Sequence, residues 1–312
     1  MTGGRHTMAT TGARLAGIAA AVVWFAAGVA RAGPITFLTA LPVAQSQAVL
    51  RVQYLYIRAS DGPTPAERDL AVHAVPLAVA IGVTPRLAIF GIVPFAHTSM
   101  ALDTPTGRIT RDSAGLGDVI AFARYTLYAV DTADSTFRIA PFGGLEIPTG
   151  KSDVSDALGR LPPPLQPGSG SWDLLGGVAV TVQTRQWEFD ADVGYKKNTE
   201  AGGVQVGDEF FTDASFQYRV WPREVGAGVP AFLFAVVETN LRSQGRREVT
   251  GARDPDSGGA RWDVDLGLQY VTTRVIVESL VQIPVVDAPH GAGLRSAVRL
   301  TAGVRWNVAL PF

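Results

Sequence analysis

Apolar and polar residues alternate with a period of two along most of this chain. Trp187, Phe189, Ala191, Val193 and Tyr195 are interleaved with Glu188, Asp190, Asp192, Gly194 and Lys196. Trp262, Val264, Leu266, Leu268 and Tyr270 are interleaved in the same way with Asp263, Asp265, Gly267 and Gln269. Successive residues of a strand point to opposite faces, so each segment carries one apolar face and one polar, often ionised, face. Twelve such segments are predicted, near residues 48–58, 70–83, 87–97, 117–128, 137–148, 171–182, 187–197, 209–221, 230–241, 261–271, 275–284 and 294–308. Most have the roughly 9 to 11 residues with which a tilted strand crosses a bilayer. The second, LAVHAVPLAVAIGV, and the ninth, PAFLFAVVETNL, are apolar on both faces, so alternation does not orient them.

The connections predict an up-and-down meander. Short ones, such as Thr84-Pro85-Arg86 and Thr272 to Arg274, alternate with long ones rich in Gly, Pro, Asp and Ser, including SMALDTPTGRITRDSAGL, TGKSDVSDALGRLPPPLQPGSGS and RSQGRREVTGARDPDSGG. A barrel whose two rims face different compartments produces that alternation. Twelve strands enclose a space too wide for apolar side chains to fill, so the apolar set is expected outside against lipid and the ionised set inside around water. Closure leaves no backbone group unpaired in hydrocarbon. Trp172, Trp187, Tyr195, Trp221, Trp262, Tyr270 and Trp306 gather near segment ends, as interfacial girdles do. The expected fold is all-β: a transmembrane up-and-down antiparallel β-barrel of about 12 strands with short periplasmic turns and long external loops.

Both ends of the chain bear on location. Arg5 and Arg14, the apolar run Leu15 to Val29 and the triplet Ala30-Arg31-Ala32 read as a cleaved signal peptide over residues 1–32. Residues 33–47 are then expected to form a periplasmic N-terminal segment and 48–312 the barrel, in the bacterial outer membrane. At the other end, VRWNVALPF carries the alternation through to Phe312. That ending resembles the signature that outer-membrane barrels present to the barrel-assembly machinery, although Pro311 departs from its commoner form. Outer-membrane lipid and that machinery are the expected partners, beside a small-molecule solute.

Composition removes other classes. Charged residues make up 18%, against roughly 25% in an average soluble domain. A net charge of -1 provides no basic field for nucleic acid. Without cysteine there is no disulfide and no thiolate nucleophile. GLGD at Gly115 to Asp118 lacks the third glycine and the helix of a dinucleotide site, and PTGKS has neither the spacing nor the helix of a phosphate loop. Asp254 and Asp256 fit turn formation better than calcium binding. His97 beside Ser99 is the one pairing worth testing for hydrolysis. No cofactor and no catalytic set are expected.

The inward-facing charges are the richest signal. Acids at Asp118, Glu146, Asp173, Glu188, Asp190, Asp192, Asp213, Asp263, Asp265 and Glu278 share the polar face with Arg51, Arg124, Arg138, Lys196, Arg219, Arg295, Arg299 and Arg305. They brace a wet lumen as ion pairs or, as rings of charge, tune which solutes pass. Asp263, Asp265, Glu278 and Arg305, on the last three strands, are expected to do both.

GLGDVIAFARYTLY (Gly115 to Tyr128), FGGLEIPTGKSD (Phe142 to Asp153) and GVTPRLAIFGIVPFAH (Gly82 to His97) resemble the outer-membrane family labelled for the meta-pathway of phenol degradation. The resemblance implies a passive uptake route for small, aromatic or other hydrophobic compounds. The pattern of the chain itself predicts a polar passage narrowed by the long loops, chiefly the 149–170 loop with its Pro162-Pro163-Pro164 run. The alternatives are an outer-membrane hydrolase and a non-conducting barrel closed by ion pairs or by residues 33–47.

Overall fold

The protein is seen as a computed structural model that describes residues 32–61, 66–224 and 229–311. The predicted signal peptide up to Arg31, and the terminal Phe312, lie outside the described residues.

Twelve antiparallel strands surround one lumen. In chain order they are β1 (Gln47–Ser60), β2 (Asp69–Gly82), β3 (Leu87–Thr104), β4 in three pieces (Gly107–Leu116, Val119–Tyr125 and Tyr128–Asp131), β5 (Ser135–Ile147) and β6 (Asp173–Thr184). β7 (Trp187–Lys197), β8 (Glu209–Trp221), β9 (Ala231–Gln244), β10 (Gly259–Thr272), β11 (Val275–Pro289) and β12 (Arg295–Ala309) complete the wall. Each pairs with its sequence neighbours, and β12 returns to β1 with a register running from Gln47↔Ala309 to Ser60↔Arg295. That last pairing removes the sheet edge, which a barrel in hydrocarbon requires.

Alternation places side chains as expected on the ionic wall. On β7, Glu188, Asp190 and Asp192 are buried inside while Phe189, Val193 and Tyr195 are exposed outside. Trp172, Tyr195, Trp221, Trp262, Tyr270 and Trp306 all stand exposed on the outer surface.

Two expectations change. The SMALDTPTGRITRDSAGL connection is not a loop: β3 and β4 run on past the rest of the barrel, paired from Phe95↔Leu116 to Thr104↔Gly107, and turn at Pro105-Thr106. Charge on both faces of this stretch hid the strand period, as an extension standing clear of lipid allows. Residues 33–47, expected in the periplasm, run inside the cylinder as far as Leu41. The segment starts at the short-turn rim, where Ser46 N–H donates to Gly82 O at 3.1 Å, and reaches Ile35 and Ala40, which are almost wholly buried. It comes back to the same rim at Ala32, packed on Val271 and Ile276 beside the β10–β11 turn. GPITFLTALPVAQS, residues 33–46, carries no charge. Its free backbone amides and carbonyls suit an interior rich in polar side chains.

At the opposite rim the 149–171 loop folds into the mouth. Leu161 and Leu165 pack on inward-facing Met100 and Leu70, and Ser113 Oγ donates to Leu165 O. The hairpins at 200–205 and 248–253 pair with each other through Val204↔Val249 and Gln205↔Glu248.

Candidate functional site

The lumen has two walls of different chemistry. From β7 around to β1 it is ionic and amide-rich. Glu278 on β11 sits between two guanidinium groups, with Arg51 Nη2 at 2.7 Å from Oε1 and Arg305 Nη2 at 2.7 Å from Oε2. Arg242 on β9 grips Asp213 on β8 in a bidentate pair, at 2.6 and 2.9 Å. Lys196 reaches Glu146 at 2.6 Å and Asp173 at 3.5 Å, and Arg261 holds Asp263 at 2.7 Å. The acid of each of the Glu278, Asp213 and Asp263 pairs is almost wholly buried, so an unpaired member there is costly.

From β2 to β5 the inward face is mostly apolar, with Asp118, Arg124, Arg138 and Glu146 as its ionised residues. Phe90 stacks on Phe122 with ring centroids 4.5 Å apart, Phe122 meets Phe142 edge-on at 6.2 Å, and Phe142 stacks towards Phe211 of β8 at 6.4 Å. Arg124 lies over the Phe90 ring at 4.9 Å and Arg242 over Phe211 at 5.2 Å, a cation–π contact at each end of the ladder. The rings need glycine beneath them. A Cβ on Gly177 would stand 2.6 Å from Phe142 Cζ, and one on Gly194 2.2 Å from Phe211 Cζ.

The inner segment bridges the two walls. Its ionic side is held through the backbone: Ile35 N–H donates to Glu238 Oε1 at 2.6 Å, Gln53 Nε2 donates to Ile35 O at 3.1 Å, and Arg51 reaches the same carbonyl. Arg305 donates to Pro34 O, and Arg124 to the carbonyls of Thr39 and Leu41. Ala40 N–H donates to Thr181 Oγ1 at 2.8 Å. Its apolar side chains turn the other way, with Leu38 and Ala40 packed into the Phe122–Phe142 cluster. The segment thus touches β1, β4, β6, β9, β10 and β12, across the width of the lumen.

Above the aromatic ladder, towards the long-loop rim, is a cavity of about 580 Å³. Ala96, Ile120, Leu161, Pro163, Pro167 and Val206 supply its apolar lining.

Most of the predicted polar residues turn to the interior, with different roles. Asp118 anchors the mouth loop, accepting from Gly150 N–H at 2.9 Å, Ser169 N–H at 2.6 Å and Ser169 Oγ at 2.7 Å. Arg124, Arg51 and Arg305 hold the inner segment, while Arg138 pairs with Asp131 at 2.6 Å near the short-turn rim. Arg219 lies over Phe232 and donates to Arg185 O at 2.9 Å, and Arg299 donates to Ser296 Oγ at 3.1 Å. Arg295 stands exposed at the long-loop rim. The expected cluster divides: Glu278 and Arg305 touch, whereas Asp263 pairs with Arg261 and Asp265 accepts from Gln282.

His97 and Ser99 both face outward. His97 Nε2 lies 3.5 Å from Asp112 on β4. Asp254 binds Arg247 and accepts from Asp256 N–H at 3.0 Å, the work of a turn former. Sequence reasoning missed Glu238, Thr181 and Gln269, which hold the inner segment, and the whole aromatic ladder. β9 is apolar on both faces, so Glu238 had no periodic context. The glycines at 177 and 194 were a usable trace of the rings.

Residues 72–291 match the protein family described as "Putative MetA-pathway of phenol degradation", more than half of the chain. This chain belongs to that family. The match runs from β2 to just past β11, so it includes the aromatic ladder and leaves out the inner segment. Among solved structures, the COG4313 outer membrane channel from Pseudomonas putida F1 is similar, with a TM-score of 0.62 at 15% identity over 89% of this chain and 100% of that one. A Pseudomonas aeruginosa FadL homologue gives 0.35 at 10% identity, over 84% and 89%. At 15% identity the likeness to the COG4313 channel speaks for the barrel fold alone. Comparison with curated protein sequences finds no match.

Proposed function

We propose that this family member is an outer-membrane channel for passive passage of small molecules, and that aromatic or similarly apolar compounds are its preferred solutes. The observation that carries this reading is the apolar surface on the inner wall: a mouth cavity of about 580 Å³ lined mainly by apolar residues, with Asp118, Glu146, Arg160 and Arg247 also on it, and a separate ladder of phenylalanine rings on β3, β4 and β5. A ring-shaped solute gains contact area and ring-stacking there without having to lose the hydration that a sugar or ion would lose. The family description, which concerns phenol degradation, points to the same solute class. Residues 32–46 act in this reading as the closure, and passage follows their displacement towards the short-turn rim. A hydrolase draws no comparable support, since His97 and Ser99 lie on the outer surface with no hydrogen bond between them among the described residues.

The test is solute flux into liposomes carrying the refolded protein. Phenol-like compounds are expected to enter faster than sugars of similar size. Ile120→Lys, which puts an ammonium group into the cavity wall, is expected to lower the aromatic flux several-fold and leave heat-modifiable folding intact. Equal flux of both solute types, or indifference to Ile120→Lys, contradicts the proposed preference.

A further inference from the structure

Inside the ionic wall, Glu188 and Asp190 lie within hydrogen-bond reach of each other, and no cation is bonded to either among the described residues. Glu188 Oε1 and Asp190 Oδ2 are buried with no hydrogen-bond partner among the described residues, and the two side chains are 1% and 0% exposed. Gln183 serves only the other oxygen of Glu188, and Thr181 only the other oxygen of Asp190. Arg305 is close enough to act on Glu188, but its bonds go to Glu278 and to Pro34 O. Even a proton shared between the two side chains leaves one buried negative charge, so a cation or a set of donors is expected at this spot.

Gly33 stands beside it. A Cβ on Gly33 would be 3.8 Å from Glu188 Oε1 and 3.5 Å from Arg305 Nη1. Its backbone is fixed in place by one side chain, with Gly33 N–H donating to Gln269 Oε1 at 3.3 Å and Gln269 Nε2 donating to Gly33 O at 2.7 Å. Gly33 is also the residue that follows the small-x-small triplet Ala30-Arg31-Ala32.

We infer that the chain is cut between Ala32 and Gly33 and that the α-ammonium group so formed stays in the lumen as the cation partner of Glu188. In the cut, water adds across the Ala32–Gly33 amide. Its hydroxyl goes to the Ala32 carbonyl carbon, which leaves as a carboxylate, and the two remaining protons end on the Gly33 nitrogen. The cutting enzyme is an export peptidase of small-x-small specificity. Ala32 is itself only 7% exposed within the folded barrel, so the cut precedes barrel closure. An amide N–H offers one donor and no charge, whereas an ammonium offers three donors and a positive charge. The new group keeps its bond to Gln269 and gives the orphaned carboxylate oxygen a partner. Processing would thereby create a contact that fixes the inner segment in the lumen, and an uncut chain would lack it. This inference does not depend on which solute the barrel passes.

Three measurements on protein extracted from outer membranes test it. Intact mass is expected to place the first residue at Gly33. Acetylation of the α-amine is expected to be at least ten-fold slower in the folded, detergent-solubilised protein than in the urea-unfolded chain. Glu188→Gln is expected to remove most of that protection, while Asp263→Asn, on a different ion pair, keeps it. A first residue other than Gly33, equal acetylation of folded and unfolded chains, or protection that survives Glu188→Gln overturns the proposal. The first two readings use the unaltered protein and hold even where Glu188→Gln fails to fold.

Discussion

Glu278 bridges two guanidinium groups, Arg51 and Arg305, each of which also holds a carbonyl of the inner segment. Glu278→Gln leaves two buried cations facing each other without an acid between them. The expected cost is about 3–5 kcal/mol, read as a lower urea midpoint for unfolding from lipid; an unchanged midpoint would contradict the pairing. Gly194 tests the aromatic wall in the same way. In Gly194→Ala the added methyl would meet Phe211 Cζ at 2.2 Å, and the expected cost is about 1–3 kcal/mol from overpacking. Gly143→Ala is the control, because its nearest contact would be an ordinary 3.6 Å. At this scale the sequence was legible wherever an ionised residue alternated with an apolar one, as on β7. It was silent where both faces are apolar, so the inward turn of Phe90, Phe122 and Glu238 could not be read.

Beyond the Ser113 bond to Leu165, the mouth loop is tied to the β4 extension by Arg111, whose Nε and Nη2 lie 2.7 and 2.8 Å from the Asp156 carboxylate and whose Nη2 also donates to Gly159 O at 2.9 Å. The hydrogen bond from Arg111 holds the Asp156 carboxyl below its ordinary value. A carboxylate with a lowered folded pKa contributes fully above its unfolded value, about pH 3.9, and loses that contribution as pH falls through the lowered one. A dye on Leu158→Cys, an exposed site in a chain with no native cysteine, is expected to keep its anisotropy from neutral pH down to about pH 4 and to lose it below. Asp156→Asn should show the low value throughout; a variant as rigid as the parent would rule out this tether. Among elements, the regular strands were read close to their observed bounds. The β3–β4 extension was lost because residues outside lipid need no apolar face, which erased the period. The inner segment was misplaced because nothing periodic marks a chain bonded through its backbone. Its one trace was the lack of charge over residues 33–46.

As a whole, the molecule is a barrel with lipid-compatible side chains outside and a lumen split between an ionic wall and an apolar one. The ionic wall holds the inner segment by its amides and carbonyls, the apolar wall receives Leu38 and Ala40, and the mouth cavity lies towards the long-loop rim. The expectation of water inside and hydrocarbon outside describes the ionic half of that lumen, and the other half gives the transport proposal its solute class. Passage through the centre requires the inner segment to move, and Ile35 packs directly on Val236 and Leu280. The chain has no native cysteine, so Ile35→Cys with Val236→Cys provides a lock that thiol reductant opens. The deciding measurement is phenol flux into liposomes carrying that double variant, before and after reduction. The account predicts flux no greater than into protein-free liposomes while the disulfide is closed and parental flux once it is reduced; equal flux in both states would show that solute does not pass where the segment lies.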